Sequence, residues 1–339
     1  MLSKRNEQMI RIGVIGLGGM GLHQARTFNR VTACQLVAGA DLSAEMRTRF
    51  AQTFLQAQVY TTPEELLAQA KVDAVVIAVP TAFHQPIASA ALAARIPVLL
   101  EKPMARTVAQ CHRLIDDAER TNTLLMVAHC RRFDPYWTAW GEYVSSGKLG
   151  APVLWRDIRA GVGPGSWYLD EGLGGGPLLD GAIHNYDFAN WIFGEPESVL
   201  ASAIKLEPAV SAIDTGSTII RYRTGHQLLL SWSWVARGTT LHDVIGPEGF
   251  IQFGTAGMSV PAEEQGHYQY CCFTDRAGAQ TLIKTPKQPD MYTFQAEHFL
   301  ACVRGEAICQ SPGTEAIKAV AVAEAVLEAG REGKARSIG

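Results

Sequence analysis

Three short segments of this chain carry residue types whose spacing could do chemistry. The first is Gly16-Leu17-Gly18-Gly19-Met20-Gly21, which fits G-x-G-x-x-G. It follows a β-branched run over 10–15 and opens a helical stretch over about 20–29. In that setting Gly16 permits a tight turn, Gly18 lets the backbone approach a pyrophosphate, and Gly21 lets helix and strand pack closely. The helix start, at Gly19 and Met20, then presents N–H groups and a positive dipole end to phosphates. Asp41 lies twenty residues beyond Gly21, at the end of a second apolar run over 36–40. A carboxylate there hydrogen-bonds the ribose hydroxyls of NAD and repels the 2′-phosphate of NADP. Arg47 can pair with such a phosphate or lie on a solvated helix face.

The second segment is Glu101-Lys102-Pro103, directly after the apolar residues Val98, Leu99 and Leu100. Carboxyl ends of parallel strands are where α/β proteins bind ligands. Lys102 there can donate to a substrate hydroxyl, or it can be a surface lysine in a turn before proline. The third runs from Gly174 to Asp187. Asp180 and His184 stand at i and i+4, with Asp187 three further on, so one helical face carries all three. A histidine accepts protons near neutral pH and an aspartate can orient it, but an ordinary polar helix face has the same spacing. No third ligand at convincing spacing joins them, so no metal site is expected.

The elements that must position these residues fall into two rhythms. Up to about residue 130, strand-like runs (10–15, 36–40, 74–79, 97–100, 124–128) alternate with helical ones (20–29, 44–53, 83–95, 107–120). Thr62, Pro63, Glu64 and Glu65 look like a helix start with its N-cap. That alternation predicts an α/β Rossmann domain with a parallel sheet over 1–130. Beyond it come a helix near 135–145, a strand at 153–158, two glycine-rich stretches and a helix running on to Phe193. Strand runs then follow without helices between them (199–204, 218–222, 227–234, 242–245, 250–253), and helices over 291–304 and 314–332 close the chain. This predicts an α+β domain with an antiparallel or mixed sheet over 131–339.

The 339 residues suit two domains, and 47% apolar with 19% charged residues is ordinary for a globular protein. A net charge of -3 with scattered Lys and Arg excludes a basic face for nucleic acid, and no membrane association is expected. Lys4 and Arg5 superficially suggest a signal peptide, but Glu7, Gln8 and the following glycines interrupt it, and no apolar stretch reaches 18 residues. Seven irregularly spaced cysteines without a C-x-x-C pair read as reduced thiols in the cytoplasm.

Together these segments resemble the Gfo/Idh/MocA family, that of glucose-fructose oxidoreductase and inositol dehydrogenase, over nearly the whole length. The likeness rests on the glycine turn, Ala78-Val79-Pro80 with His84, Glu101-Lys102-Pro103, the run His129-Cys130-Arg131-Arg132-Phe133-Asp134-Pro135, and the segment Asp180 to His184. It implies Lys102, Asp180 and His184 as catalytic residues. It also implies a cofactor site drawing on Pro80, His84, Glu101 and Lys102, a cis Lys102–Pro103 bond, and a large open C-terminal sheet that assembles dimers or tetramers. Cys130 departs from the amide common at that position in the family. The activity so implied is NAD-dependent oxidation of a secondary alcohol of a polyol or sugar, with NADP less favoured. Arg132, Trp167, Tyr168 and Asn185 are further candidates for substrate contact. Trp232 and Trp234, alternate on one strand face, suit sheet packing or an oligomer interface. Two other readings fit the same residues: a reductase of a keto-sugar or dihydrodiol, and a non-catalytic dinucleotide-binding regulator.

Overall fold

The computed structural model describes residues 9–338. Lys4, Arg5, Glu7 and Gln8, weighed above, lie outside the described residues. The chain forms two compact units. The first extends to Cys130 and includes Met291–Ile317; the second comprises Arg131–Asp290 and the chain from Lys318 onward.

The first unit is built on a parallel sheet of six strands. Its elements are β1 (Ile10–Ile15), α1 (Gly19–Arg30), β2 (Cys34–Ala40), α2 (Ala44–Thr53), β3 (Gln58–Tyr60), α3 (Pro63–Gln69), β4 (Ala74–Ile77), α4 (His84–Ala93), β5 (Val98–Leu100), α5 (Val108–Thr121) and β6 (Leu125–Val127). Every residue of β4 and β5 is fully buried, as expected of strands covered by helices on both faces. The strand order β3-β2-β1-β4-β5-β6 reverses between β1 and β4, which opens a crevice at their carboxyl ends. The expected cap of α3 is present as a full capping box between Thr62 and Glu65. Sequence patterning missed β3: three residues are too few to show alternation, and the strand exists through its pairing with β2.

The second unit contains α6 (Pro135–Ser145), β7 (Leu154–Ala160), α7 (Ile183–Phe193) and the strands β8 (Pro196–Ile204), β9 (Thr215–Tyr222), β10 (Gln227–Ser233), β11 (Leu241–Gly246), β12 (Gly249–Phe253), β13 (Tyr268–Asp275) and β14 (Gln280–Pro286). Then come α8 (Met291–Val303), which belongs to the first unit, α9 (Gly313–Glu332) and β15 (Arg336–Ser337). The nine-stranded sheet has the order β14-β13-β12-β11-β7-β10-β9-β8-β15. Only the β7–β10 pair among these is parallel. Trp155 of β7 packs with Trp137 and Trp140 of α6 and Phe188 of α7, ring centres 5.0–6.3 Å apart, and this aromatic cluster seats both helices on the sheet. Strands β13 and β14 extend the sheet past the runs legible in the sequence.

The expected boundary at 130/131 assigned everything after it to the second domain, whereas Met291–Ile317 clusters with the first unit. Helix α8 lies on α1, with Tyr292 edge-on to His23 at 4.3 Å and Phe299 edge-on to Phe28 at 6.3 Å. Arg304 Nη2 donates to the carbonyl of Ala33 at 2.9 Å, and Val127 N–H donates to Ser311 O at 2.9 Å. An apolar helix pattern does not say which sheet the helix will cover. No helix of the described residues is long and apolar enough to cross a membrane.

Phe50 of α2 is fully buried, and a Cβ on Gly39 of β2 would lie 2.7 Å from its ring, so the strand leaves room for that ring alone. Phe50→Ala is expected to destabilise the protein by about 3–5 kcal/mol. Chemical denaturation followed by circular dichroism checks this value.

Candidate active site

In the first unit, the glycine turn follows β1 and opens α1. Gly16 has φ +87°, and a Cβ there would lie 2.6 Å from the carbonyl oxygen of Ala78; a Cβ on Gly21 would lie 1.7 Å from Gly16 O. Both positions therefore require glycine. At Gly18 and Gly19 a Cβ would meet nothing within 4 Å, so the surface above the turn is open. Helix α1 has no side-chain cap and no acidic residue in its first turn, which leaves its leading N–H groups and dipole end to an anion. Asp41, half-buried at the end of β2, accepts from Leu17 N–H and from Ser43 N–H, each at 2.7 Å. Its carboxylate is thereby aimed across the turn, with lone pairs remaining for ribose hydroxyls. Arg47 Nη1 donates to the carbonyls of Asp41 and Leu42, at 2.8 and 2.9 Å. These features fit a dinucleotide: an open glycine surface, an uncapped helix start and an oriented carboxylate.

Lys102 follows β5 and is half-buried; the Lys102–Pro103 bond is cis. Buried Glu101 accepts from Gln24 Nε2 of α1 at 2.7 Å and from Lys102 N–H at 3.2 Å. His84 is 1% exposed, with Nδ1 2.7 Å from Pro103 O and Nε2 2.9 Å from Val79 O. Each ring nitrogen faces a backbone carbonyl. The ring thus ties the turn after β4, where Pro80 stands, to the turn carrying Lys102. The structure gives His84 a supporting position instead of an open one.

In the second unit, the single helix expected up to Phe193 is two pieces. Pro177–Gly181 forms a π-helical turn, closed by Ala182 N–H to Pro177 O at 2.8 Å, and α7 starts at Ile183. The extra residue in that turn displaces Asp180 from the α-helical i, i+4 register with His184. Asp180 is 3% exposed and His184 is half-buried. Such π turns occur frequently at functional sites. Asp187 does not share their setting: Arg132 grips it through Nε at 2.9 Å and Nη2 at 2.6 Å, and both side chains are buried. The charge of Arg132 is met there, within the core. Trp167 stacks on Tyr168 at 3.7 Å. Cys130 is buried at the start of the 3₁₀ turn Cys130–Phe133. Among the described residues no group of three or more His, Cys, Asp or Glu could hold a metal ion.

Asn185, next to His184, is fully buried and engaged at both ends. Its Nδ2 donates to Asp157 Oδ2 at 2.5 Å and its Oδ1 accepts from Arg131 Nη1 at 3.1 Å. Arg131 in turn lies 3.8 Å over the Trp137 ring. Asp157 of β7 has no solvent exposure; Arg159 Nε and Nη2 donate to its two oxygens at 2.6 and 2.8 Å. Burial opposes its charge, but the neighbouring positive groups and the Arg159 hydrogen bonds hold its carboxyl below the usual range. His242 of β11, stacked on Phe253 at 3.5 Å, stands 4.0 Å from Asp157. Burial pushes its imidazole down to about 3, against the pull of Asp157, so His242 is neutral at pH 7. Sequence reading missed Asp157, Arg159 and His242; the available signal was Asp157 and Arg159, two charged residues on the strand face that also carries Trp155.

The unfolded chain binds a proton at His242 near its ordinary 6.5 and the folded protein only near 3, so stability falls as pH drops through that window. His242→Gln is expected to reduce the stability lost between pH 6.5 and 4 by about 3 kcal/mol. Urea melts of both proteins at the two pH values measure this difference; equal losses would contradict the assignment.

Two family models match the chain: "Oxidoreductase family, NAD-binding Rossmann fold" over residues 10–129 and "GFO/IDH/MocA C-terminal domain" over 137–258. Among curated relatives, inositol 2-dehydrogenase of Rubrobacter xylanophilus is 32% identical over 228 residues, 65% of this chain; the chain spans 62% of that relative's length. Inositol 2-dehydrogenase 1 of Saccharopolyspora erythraea is 25% identical over 96% of this chain and 95% of its own. Among solved structures, the aldose-aldose oxidoreductase of Caulobacter crescentus superposes with a TM-score of 0.83 at 22% identity, covering 97% of this chain and 100% of that one, a likeness of fold. With its glycine turn matched by the first model and strands β7 to β12 of its large sheet by the second, the chain belongs to the Gfo/Idh/MocA family of NAD-binding oxidoreductases.

Proposed function

We propose that the protein is a dehydrogenase that oxidises a secondary alcohol of a polyol or sugar, with NAD favoured over NADP. The observation that carries this reading is the setting of Asp180 and His184: a buried carboxylate held in a π turn just before a half-buried imidazole. A protein that only sensed dinucleotide would need neither. The names of the relatives, inositol 2-dehydrogenases, point to the same class of substrate.

NAD, when bound, supplies the hydride acceptor. The residues of this chain do the rest. An imidazole nitrogen of His184 takes the hydroxyl proton as the carbinol C–H bond breaks and the carbonyl forms. Lys102 and Asp180 hold the oxygen, and the lysine ammonium offsets the negative charge that develops on it. Asn185, engaged by Asp157 and Arg131, keeps the first turn of α7 in place beneath His184. Glu101 and His84 hold the turn that presents Lys102. Asp41 sets the cofactor preference by accepting from the ribose hydroxyls and repelling a 2′-phosphate.

His184→Ala is expected to lower kcat by about 10²–10⁴-fold while the affinity for NAD, measured by fluorescence titration, stays unchanged. Undiminished turnover would remove His184 from the mechanism. Asp41→Ser is expected to weaken NAD at least tenfold and to narrow the gap to NADP. An unaltered ratio of the two affinities would show that Asp41 does not select the cofactor.

A further inference from the structure

Beside the turn that carries Asp180, the second unit holds a guanidinium that this mechanism does not use. Alternate residues of a strand share one face, so Trp155, Asp157 and Arg159 of β7 form a row. Trp155 and Asp157 are fully buried, while the Arg159 side chain keeps 29% of its exposure. The row therefore leads from the core to solvent, and Arg159 is its open end. The two hydrogen bonds to Asp157 fix the plane of the guanidinium. On its other side is the ring of Trp232, its cross-strand neighbour on β10, 5.1 Å from the guanidinium carbon. A Cβ on Gly181 would lie 3.4 Å from Trp232 and 2.8 Å from Trp234, so these two indoles abut the residue that follows Asp180.

A guanidinium carries five N–H donors. Asp157 engages two of those on Arg159; the N–H groups of Nη1 and one of Nη2 have no hydrogen bond among the described residues. Asp157 is shared, because it faces the guanidiniums of both Arg159 and Arg131, and Arg131 is faced by Asp134 as well. A rigid planar fork with unused donors matches a carboxylate, and the adjoining indole face gives that charge a less hydrated surrounding.

The geometry points to Arg159 as a specificity residue that receives a carboxylate of the substrate, which makes an acidic sugar or polyol, an aldonate or uronate, the preferred class. This rests on the proposed reaction in that Asp180 and His184 carry the reacting carbinol. A neutral polyol offers the unused Arg159 donors only hydroxyl acceptors, without a countercharge or a bidentate fit, and binds less tightly.

The test is calorimetric titration of the protein–NADH complex with D-glucuronate and D-gluconate, and with neutral D-glucose and D-sorbitol. The acids are expected to bind at least tenfold more tightly than their neutral counterparts. Arg159→Gln should abolish this preference without changing NADH affinity, and Arg159→Lys should keep part of it. The double variant Asp157→Asn with Arg159→Gln leaves no uncompensated buried carboxylate and should show the same loss. Equal affinities for acid and neutral compounds, no binding of either acid, or a preference that survives in both glutamine variants would overturn the assignment. Turnover is read separately: acids that bind through Arg159 yet never reduce NAD would uphold the subsite and overturn the dehydrogenase reading. Oxidation of neutral polyols without any preference for acids would do the reverse.

Discussion

A carboxylate without access to water has to be answered by protein groups, and Asp157 makes that demand at the centre of the second unit. Leaving a buried charge without a partner costs several kcal/mol, so the groups around it are constrained together. Arg159 answers from the same strand, Asn185 from the first turn of α7, and Arg131 through Asn185 from the segment entering α6. His242 closes the remaining side as a neutral ring packed on Phe253. One buried anion thus fixes the register of β7 against α7 and with it the position of His184. The Arg132–Asp187 pair repeats the arrangement further along α7. These two clamps hold α7, which begins directly after a π turn with no side-chain cap.

The first unit works by a different constraint, steric exclusion at the end of β1. Gly16 and Gly21 leave no room for side chains, so α1 starts against the strand end with bare N–H groups. Asp41 reads that turn through Leu17 N–H and therefore cannot move independently of it. The Lys102 turn is braced from two sides, by Glu101 bonded to Gln24 of α1 and by His84 bonded to Pro103. Placement of Lys102 and of the cofactor cradle is thus one mechanical problem, solved by hydrogen bonds that converge on α1 and on the start of α4.

Most of the first unit was legible in the sequence, because parallel strands buried on both faces are uniform apolar runs and the glycine turn has no other good explanation. The segments holding Lys102, Asp180 and His184 were also visible as motifs. What they do locally was not. Nothing in Pro177-Leu178-Leu179-Asp180-Gly181 distinguishes a π turn from an α turn; the difference lies in where Ala182 N–H finds its acceptor. Asn185 and Arg132 looked like residues waiting for a substrate because their partners, Asp157 and Asp187, are assigned only by tertiary packing. The return of α8 to the first unit was hidden for the same reason. Its apolar face is plain in the sequence, but its fit to His23 and Phe28 of α1 is a property of two distant segments.

The proposed chemistry requires that a carbinol hydrogen leave as hydride. The most direct measurement is deuterium transfer: the protein is incubated with NAD and carbon-deuterated myo-inositol or D-gluconate, and the nicotinamide is analysed by proton NMR. The expected result is reduced nicotinamide carrying one deuterium at C4 per molecule of carbonyl product. Bound NAD that stays oxidised with every deuterated compound, or reduced nicotinamide without deuterium at C4, would contradict it.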